Sequence, residues 1–310
     1  MTRVNSTEAY YRSGDASLGW ELTVSNALYP EDSPCRKVLA TPASYGHLLY
    51  NYLSRFIPMD TVRRVLEIGG GYGYVMKDFL TRNPALRATL VDISPRLSAV
   101  QRQTLKDYPV DCVIADVMEL DPSALAHKDL AILNENLGDL PTLVDASRTI
   151  FEKPAHDPTE RRVRELFSRY DFEIPDTETF SFNLGAVEAV EKLCASGIPY
   201  LFMGEHSCEA HVPEPIQSLV SVSSCSQPER ISLKGHDEYT LQFSHLEQVA
   251  AYHRYSRRRG PFADFLEIQW NDRLRRLMAS PSLADGESEI LRHFVEDLYK
   301  YEYLILMSNK

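Results

Sequence analysis

Four residues in the stretch RRVLEIGGGYGYVMKDFL, Arg63 to Leu80, have the types and spacing to hold a ligand against bare backbone. Glu67, Gly69, Gly71 and Gly73 read E-x-G-x-G-x-G, with an apolar run before them and a helix-like pattern after them. The dinucleotide fingerprint G-x-G-x-x-G fails in both registers, because its third glycine would fall on Tyr74 or on Met76. A phosphate-binding P-loop fails too, since no Gly-Lys-Ser/Thr follows. Two more acids come at the ends of the next apolar runs: Asp92, then Asp116 with Val117 beside it. Acids at successive strand ends share the carboxyl edge of a sheet, where open α/β sheets bind ligands. A mononucleotide carrying an amino acid matches this set. A ribose diol takes a two-oxygen acceptor at the second strand, an adenine amino group takes an acceptor at the third, and an amino-acid head with a positive sulfur takes bare backbone in a negative field. Each acid also has a plainer reading as a strand-end or turn residue, and the glycines as turn chemistry.

The elements that must position these residues alternate. RVLEIG, ATLVDIS, DCVIAD and LAILNEN read as strands, and the stretches after the glycines and after Pro95 read as helices. Such alternation predicts a parallel sheet with right-handed crossovers. Farther along, charged TERRVRELFSRY, Asn183–Ser196 (Asn183 as cap, Gly197 as stop) and Glu287–Leu298 read as helices. IPYLFMG, EYTLQF, FADFLEI and EYLILMS read as strands. A helix is predicted from Thr41 and Pro42, and another is opened by a capping box of Ser244 and Glu247. Residues 1–60 form an N-terminal helical cap segment in this reading, and 61–310 form one α/β domain with an insert at roughly 205–235. These two regions are expected to cover the carboxyl edge and shape a pocket, with Tyr10, Tyr11 and Tyr45 as candidate lining residues.

Composition narrows the classes. A chain of 310 residues, 44% hydrophobic, buries a full core, and its net charge of -11 argues against a nucleic-acid partner. The one basic run, Arg254 with Arg257, Arg258 and Arg259, reads as a solvated helix end. No stretch approaches a membrane span, and the N-terminus lacks a signal core, so a cytoplasmic location is expected. The five cysteines are scattered with no C-x-x-C and read as reduced thiols. GEHSCEAH brings His206, Cys208 and His211 close in sequence. It lacks a second ligand pair at a zinc spacing and reads as a loop, so no metal is expected there.

Residues Arg63 to Asp139 resemble the class I S-adenosylmethionine-dependent methyltransferases. The resemblance implies a Rossmann-like fold with a mostly parallel seven-stranded sheet and helices on both faces, and S-adenosyl-L-methionine as cofactor. It also implies that Gly69, Gly71 and Gly73 pass under the methionyl part, that Glu67 supports that loop, that Asp92 takes the ribose hydroxyls, and that Asp116 and the backbone of Val117 meet the adenine. LNENLGDLP, LATPASYGHLLYNYL, SPRLSAVQRQTL and GHDEYTLQFSHLEQVA are similar to segments of the MidA family, whose mitochondrial members are protein arginine methyltransferases. Where that family has N-E-L-L-D-A-L-P, this chain carries Gly138 in place of the Asp, and Asp139 one place later.

The resemblance puts Asn134 and Glu135 at the methyl group. Chemically the pair suits a nucleophilic nitrogen, because a carboxylate orients a guanidinium by paired hydrogen bonds; the plainer role for Glu135 is capping the next helix. The expectation is therefore an enzyme that methylates a protein side-chain nitrogen such as that of arginine. A small-molecule N- or O-methyltransferase and a non-catalytic assembly factor of the same fold stay open.

Overall fold

The computed structural model describes residues 3–13, 23–154, 157–279 and 286–309. Seven strands share one sheet: β1 (Arg64–Ile68), β2 (Arg87–Asp92), β3 (Val110–Ile114), β4 (Leu130–Asn134), β5 (Tyr200–His206), β6 (Tyr255–Pro261) and β7 (Tyr301–Ser308). Their order is β3-β2-β1-β4-β5-β7-β6. The first five strands pair in parallel, while β7 runs antiparallel between β5 and β6. The sheet is therefore seven-stranded and mostly parallel, as expected.

Period-two alternation assigns each strand residue to one of two cores. Val65, Ile132, Phe202 and Tyr303 face α1 (Tyr45–Leu53), α2 (Tyr74–Arg82) and a late helix at Gly286–Lys300. Leu66, Leu133, Met203 and Leu304 face the helices Pro158–Tyr170, Leu184–Ala195 and Phe243–Tyr252 on the other side. A strand buried on both faces reads as a continuous apolar run, which is why β1 and β4 are visible in the sequence. Glu67 breaks that run from inside the core, at 2% exposure.

Several local expectations are corrected. The helix expected at Thr41 starts at Tyr45, with Ser44 at its N-cap, because the chain before it is drawn into extended pairing. There Ala40 N donates to Glu267 O at 2.8 Å and Leu39 bridges Ile268. FADFLEI is a 3-10 turn at Phe262–Asp264 followed by that bridge, and the strand lies just before it. The basic run is divided: Arg254 stands exposed just past the end of the helix Phe243–Tyr252, as expected, while Arg257, Arg258 and Arg259 belong to edge strand β6, where Arg259 pairs with Glu302 at 2.6 Å and Glu209 at 2.9 Å.

The capping box does not form either. Helix Phe243–Tyr252 starts before Ser244, whose N–H and hydroxyl both donate to Glu209, while Glu247 faces Arg257 and Arg259. Of EYTLQF only the first part is strand: Asp237–Tyr239 pairs with Arg230–Ser232 as a hairpin. A three-stranded sheet of Arg3–Asn5, Thr142–Ser147 and Thr179–Phe182 had no counterpart in the sequence reading. Residues 14–22 of the expected cap lie outside the described residues. No helix among the described residues is long and apolar enough to cross a membrane.

Candidate active site

A cavity of about 1030 Å³ opens at the carboxyl ends of β1, β2, β4 and β5. Its lining comes from the glycine loop, from the ends of β2 and β3, from the loop after β4, and from the N-terminal segment at Ser6–Glu8, Tyr11 and Thr23–Asn26. Ten carboxylate residues and no lysine or arginine occur among the described residues that line it.

The β1–β3 half gathers the residues singled out around the glycines. Gly69, Gly71 and Gly73 all take positive φ, +62°, +53° and +80°, a region that side chains rarely adopt. Gly73 N closes the turn on Gly70 O at 2.8 Å and leads into α2. Beneath it, Glu67 Oε2 is buried without a hydrogen-bond partner, and burial pushes that carboxyl up to about 8. A Cβ at Gly70 would stand 2.8 Å from this oxygen, so loop and acid are fitted to each other. Asp92 is 4% exposed; its Oδ1 accepts Ser94 N at 2.9 Å and its Oδ2 accepts Gln101 Nε2 at 2.7 Å. Gln101 Nε2 also reaches Gly71 O at 3.0 Å, so one amide ties the β2 acid to the glycine loop. Asp116 Oδ1 accepts Met118 N at 2.8 Å and starts the turn holding Val117. The role of Gln101 was missed in the sequence. Its only trace was the Gln of the S-P-x-L-x-x-x-Q pattern, which carried no chemistry until the helix (Pro95–Thr104) turned it back toward the loop.

The β4 end is built differently. Tyr45, on α1 and fully buried, donates its hydroxyl to Asn134 Oδ1, and Asn134 Nδ2 donates to Glu135 Oε1 at 2.9 Å. Glu135 takes φ +55° and reaches back across the chain. Its Oε2 accepts Val24 N at 2.8 Å and its Oε1 accepts Ser25 N at 3.1 Å. It thus caps the short helix Val24–Ala27, a strap that borders the cavity, and not the segment that follows it in sequence. Tyr29, just beyond that helix, stacks on Tyr74 with ring centroids 3.4 Å apart. Burial raises the Glu135 carboxyl to about 7, against the opposing pull of its Ser25, Asn134 and Val24 donors.

Gly138 has a steric reason. A Cβ there would lie 2.8 Å from Tyr239 O, where the hairpin docks on the loop. The acid therefore stands at 139, where Asp139 Oδ2 accepts the Tyr11 hydroxyl at 3.1 Å. Near it, His236 Nε2 lies 3.0 Å from Glu238 Oε1 and 3.8 Å from Asp139 Oδ1. Glu205, at the end of β5, accepts His206 N at 2.8 Å and Gly138 N at 3.1 Å. Burial and then Glu238 push its carboxyl up to about 8.

The residues of GEHSCEAH diverge. His206 stacks on Tyr301 at the cavity, with enclosure holding its imidazole down to about 3, while Cys208 is buried and His211 is exposed. The site residues His236 and Glu238 were missed. They were legible only as part of a segment similar to a family pattern.

These buried acids make a pH prediction. Glu67 and Glu205 bind protons more tightly in the folded state (about 8) than when unfolded (about 4.5), and Glu135 does so less strongly (about 7). Their stabilising share is complete below the unfolded value and is lost as pH rises through 7 to 8. His206 and His245, held down to about 3 and about 4, act only below the unfolded imidazole range. The ligand-free protein should therefore melt lower at pH 8.5 than at pH 6.5, and Glu67→Gln should shrink that gap. Equal melting temperatures in the wild type would contradict it.

No family model matches the chain, and no curated protein matches it in sequence. Solved structures do. An uncharacterised COG1565-superfamily protein from Burkholderia thailandensis superposes with a TM-score of 0.58 at 16% identity, over 97% of this chain and 84% of that one. A COG1565-superfamily member from the same bacterium, bound to S-adenosyl-homocysteine, superposes at 0.52 and 18% identity, over 85% and 76%. The fold is the class I methyltransferase fold. At these identities the likeness is one of fold. Within this methyltransferase fold the cavity occupies the carboxyl edge, where ligands of open α/β sheets bind.

Proposed function

We propose that the protein is an S-adenosylmethionine-dependent methyltransferase acting on the nitrogen of a cationic acceptor, with a protein arginine side chain as the leading instance. The observation that carries this reading is the cavity itself: glycine-floored, acid-lined and without lysine or arginine among its described residues. Such a lining suits a sulfonium and a guanidinium or ammonium, and it opposes a pyrophosphate. The unpartnered Glu67 Oε2 and the bare Gly69–Gly73 backbone fit the amino-acid end of the cofactor, Asp92 fits the ribose, and Asp116 with Val117 fits the adenine.

When bound, the cofactor would supply an electrophilic methyl group, and the proton that the acceptor nitrogen gives up passes to a carboxylate of the cavity lining. The chain's own residues then position and enclose: Gln101 fixes the loop to Asp92, Tyr45 fixes Asn134, and Glu135 holds the strap that borders the cavity. For an in-line displacement, orientation and exclusion of water supply most of the acceleration. Because both Glu135 oxygens are engaged by the strap, we assign Glu135 the task of closing and orienting the site beside the transferred methyl.

Calorimetry tests the cofactor. S-adenosylmethionine and S-adenosylhomocysteine should bind the purified protein and NAD should not. Binding of NAD without either adenosyl ligand would overturn the reading.

A further inference from the structure

We propose that Asp139, His236 and Glu238, backed by Tyr11 and Glu205, form the subsite that holds the cationic group of the methyl acceptor, a guanidinium or an ammonium. The inference rests on the methyl-transfer reading and adds the place and chemistry of acceptor binding.

Position is the first argument. The group lies on the β4–β5 side of the cavity, across from the glycine loop, Asp92 and Asp116. Four separate pieces of chain converge there: the N-terminal helix, the loop after β4, the end of β5 and the hairpin at Arg230–Tyr239. Chain segments this far apart in sequence are brought to one wall only by the folded cap and insert.

Unmet bonding is the second. One ligand atom from each of Asp139, His236 and Glu238 lies within 4.8 Å of the other two. Asp139 Oδ1, facing His236 Nε2 at 3.8 Å, is buried with no hydrogen-bond partner. The His236 side chain is only 6% exposed and its Nδ1 is likewise unpartnered. Its ring is fixed by stacking on Tyr10 at 4.2 Å and by the edge of Tyr11 at 5.5 Å.

Charge is the third. Elsewhere the chain answers partly buried acids with arginine: Arg162 pairs with Glu188 at 2.7 Å, and Arg259 pairs with Glu302 and Glu209. Here three carboxylates and an imidazole face a cavity whose described lining has no lysine or arginine. Burial, then Glu238 and Glu205, raise the Asp139 carboxyl well above the ordinary range, which is the mark of a group lacking its counter-ion. A guanidinium complements this wall in charge, and its fork matches paired carboxylates.

The test is an NMR titration of N-acetyl-arginine methylamide, and of the uncharged citrulline counterpart, with and without S-adenosylhomocysteine. The arginine probe should bind the wild type and the citrulline probe should not. Asp139→Asn and Glu238→Gln should each weaken the arginine probe at least 10-fold without lowering the melting temperature and with S-adenosylhomocysteine affinity in place. Either variant suffices if the other fails to fold. Equal binding to wild type and variants, no binding to the wild type, or equal binding of both probes overturns the subsite. Manganese ion added alone is the second arm: tight binding, followed by electron paramagnetic resonance and abolished in Asp139→Asn, would make the group a metal site and overturn the proposal. Failure of S-adenosylhomocysteine to bind would instead sink the methyltransferase reading, and the probe titrations without it would still decide the subsite.

Discussion

Asp92→Ala is expected to bind S-adenosylmethionine roughly 10- to 150-fold more weakly than the wild type, the equivalent of about 1.5–3 kcal/mol for hydrogen bonds to a charged acceptor. Two losses combine. The β2 end no longer presents a pair of acceptor oxygens to a ribose. Gln101 also loses its 2.7 Å partner and with it the tether that fixes Gly71 O. Gln101→Ala separates the two, because it removes the tether and leaves the acid; its affinity should fall by less. Calorimetry on both variants, with circular dichroism as a check on folding, decides the matter. Unchanged affinity in Asp92→Ala would remove Asp92 from the cofactor site.

Glu135→Gln is expected to cut methyl transfer about 100-fold, the scale reached when a group that positions the site is displaced by about 1 Å. Three donors converge on its two oxygens: Val24 N, Ser25 N and Asn134 Nδ2. Glutamine offers one oxygen and one NH₂ group, so at least one donor meets another donor. The melting temperature should fall, because glutamine cannot accept from all three donors. Affinity for S-adenosylhomocysteine should stay nearly intact, because the glycine loop, Asp92 and Asp116 lie elsewhere. Transfer of labelled methyl to a cell lysate, separated into macromolecular and small-molecule fractions, gives the rate and the acceptor class together. A lower melting temperature with full transfer would leave Glu135 as a helix cap alone; affinity falling in step with transfer would make it a cofactor residue.

The half of the site that the sequence made legible is local. Glu67, the glycines and Asp92 sit within one strand–loop–helix–strand unit, and their spacing follows from the period of those elements. The other half depends on partners far away in the chain. Glu135 looked like a cap for the residues that follow it, yet two of its three donors stand 110 and 111 residues earlier. The Ser244–Glu247 pattern was a sound local signal that lost to Glu209 and Arg259, which reach it across the fold. Strand β6 was hidden because an edge strand carrying Arg257 to Arg259 has neither the apolar run nor the alternation of a buried one; charge on an edge guards against unwanted pairing. The shift of the acid from the place of Gly138 to Asp139 was visible in the sequence without a reason. It becomes intelligible only beside Tyr239 O, which leaves no room for a side chain at 138.

The acid lining of the cavity acts beyond contact distance. A cleft of one sign, walled by low-dielectric protein, concentrates ions of the opposite sign at its mouth and repels the rest, over about 10 Å at ordinary salt. Ligands are thus sorted by sign before they are sorted by shape, and an arginine-rich peptide meets an attraction where a polyphosphate meets a barrier. On the proposed methyl-transfer reading, the same field would distinguish the cofactor before and after reaction: a sulfonium is positive and the thioether left after transfer is neutral, so the attraction that loads the site would fade once the methyl has gone.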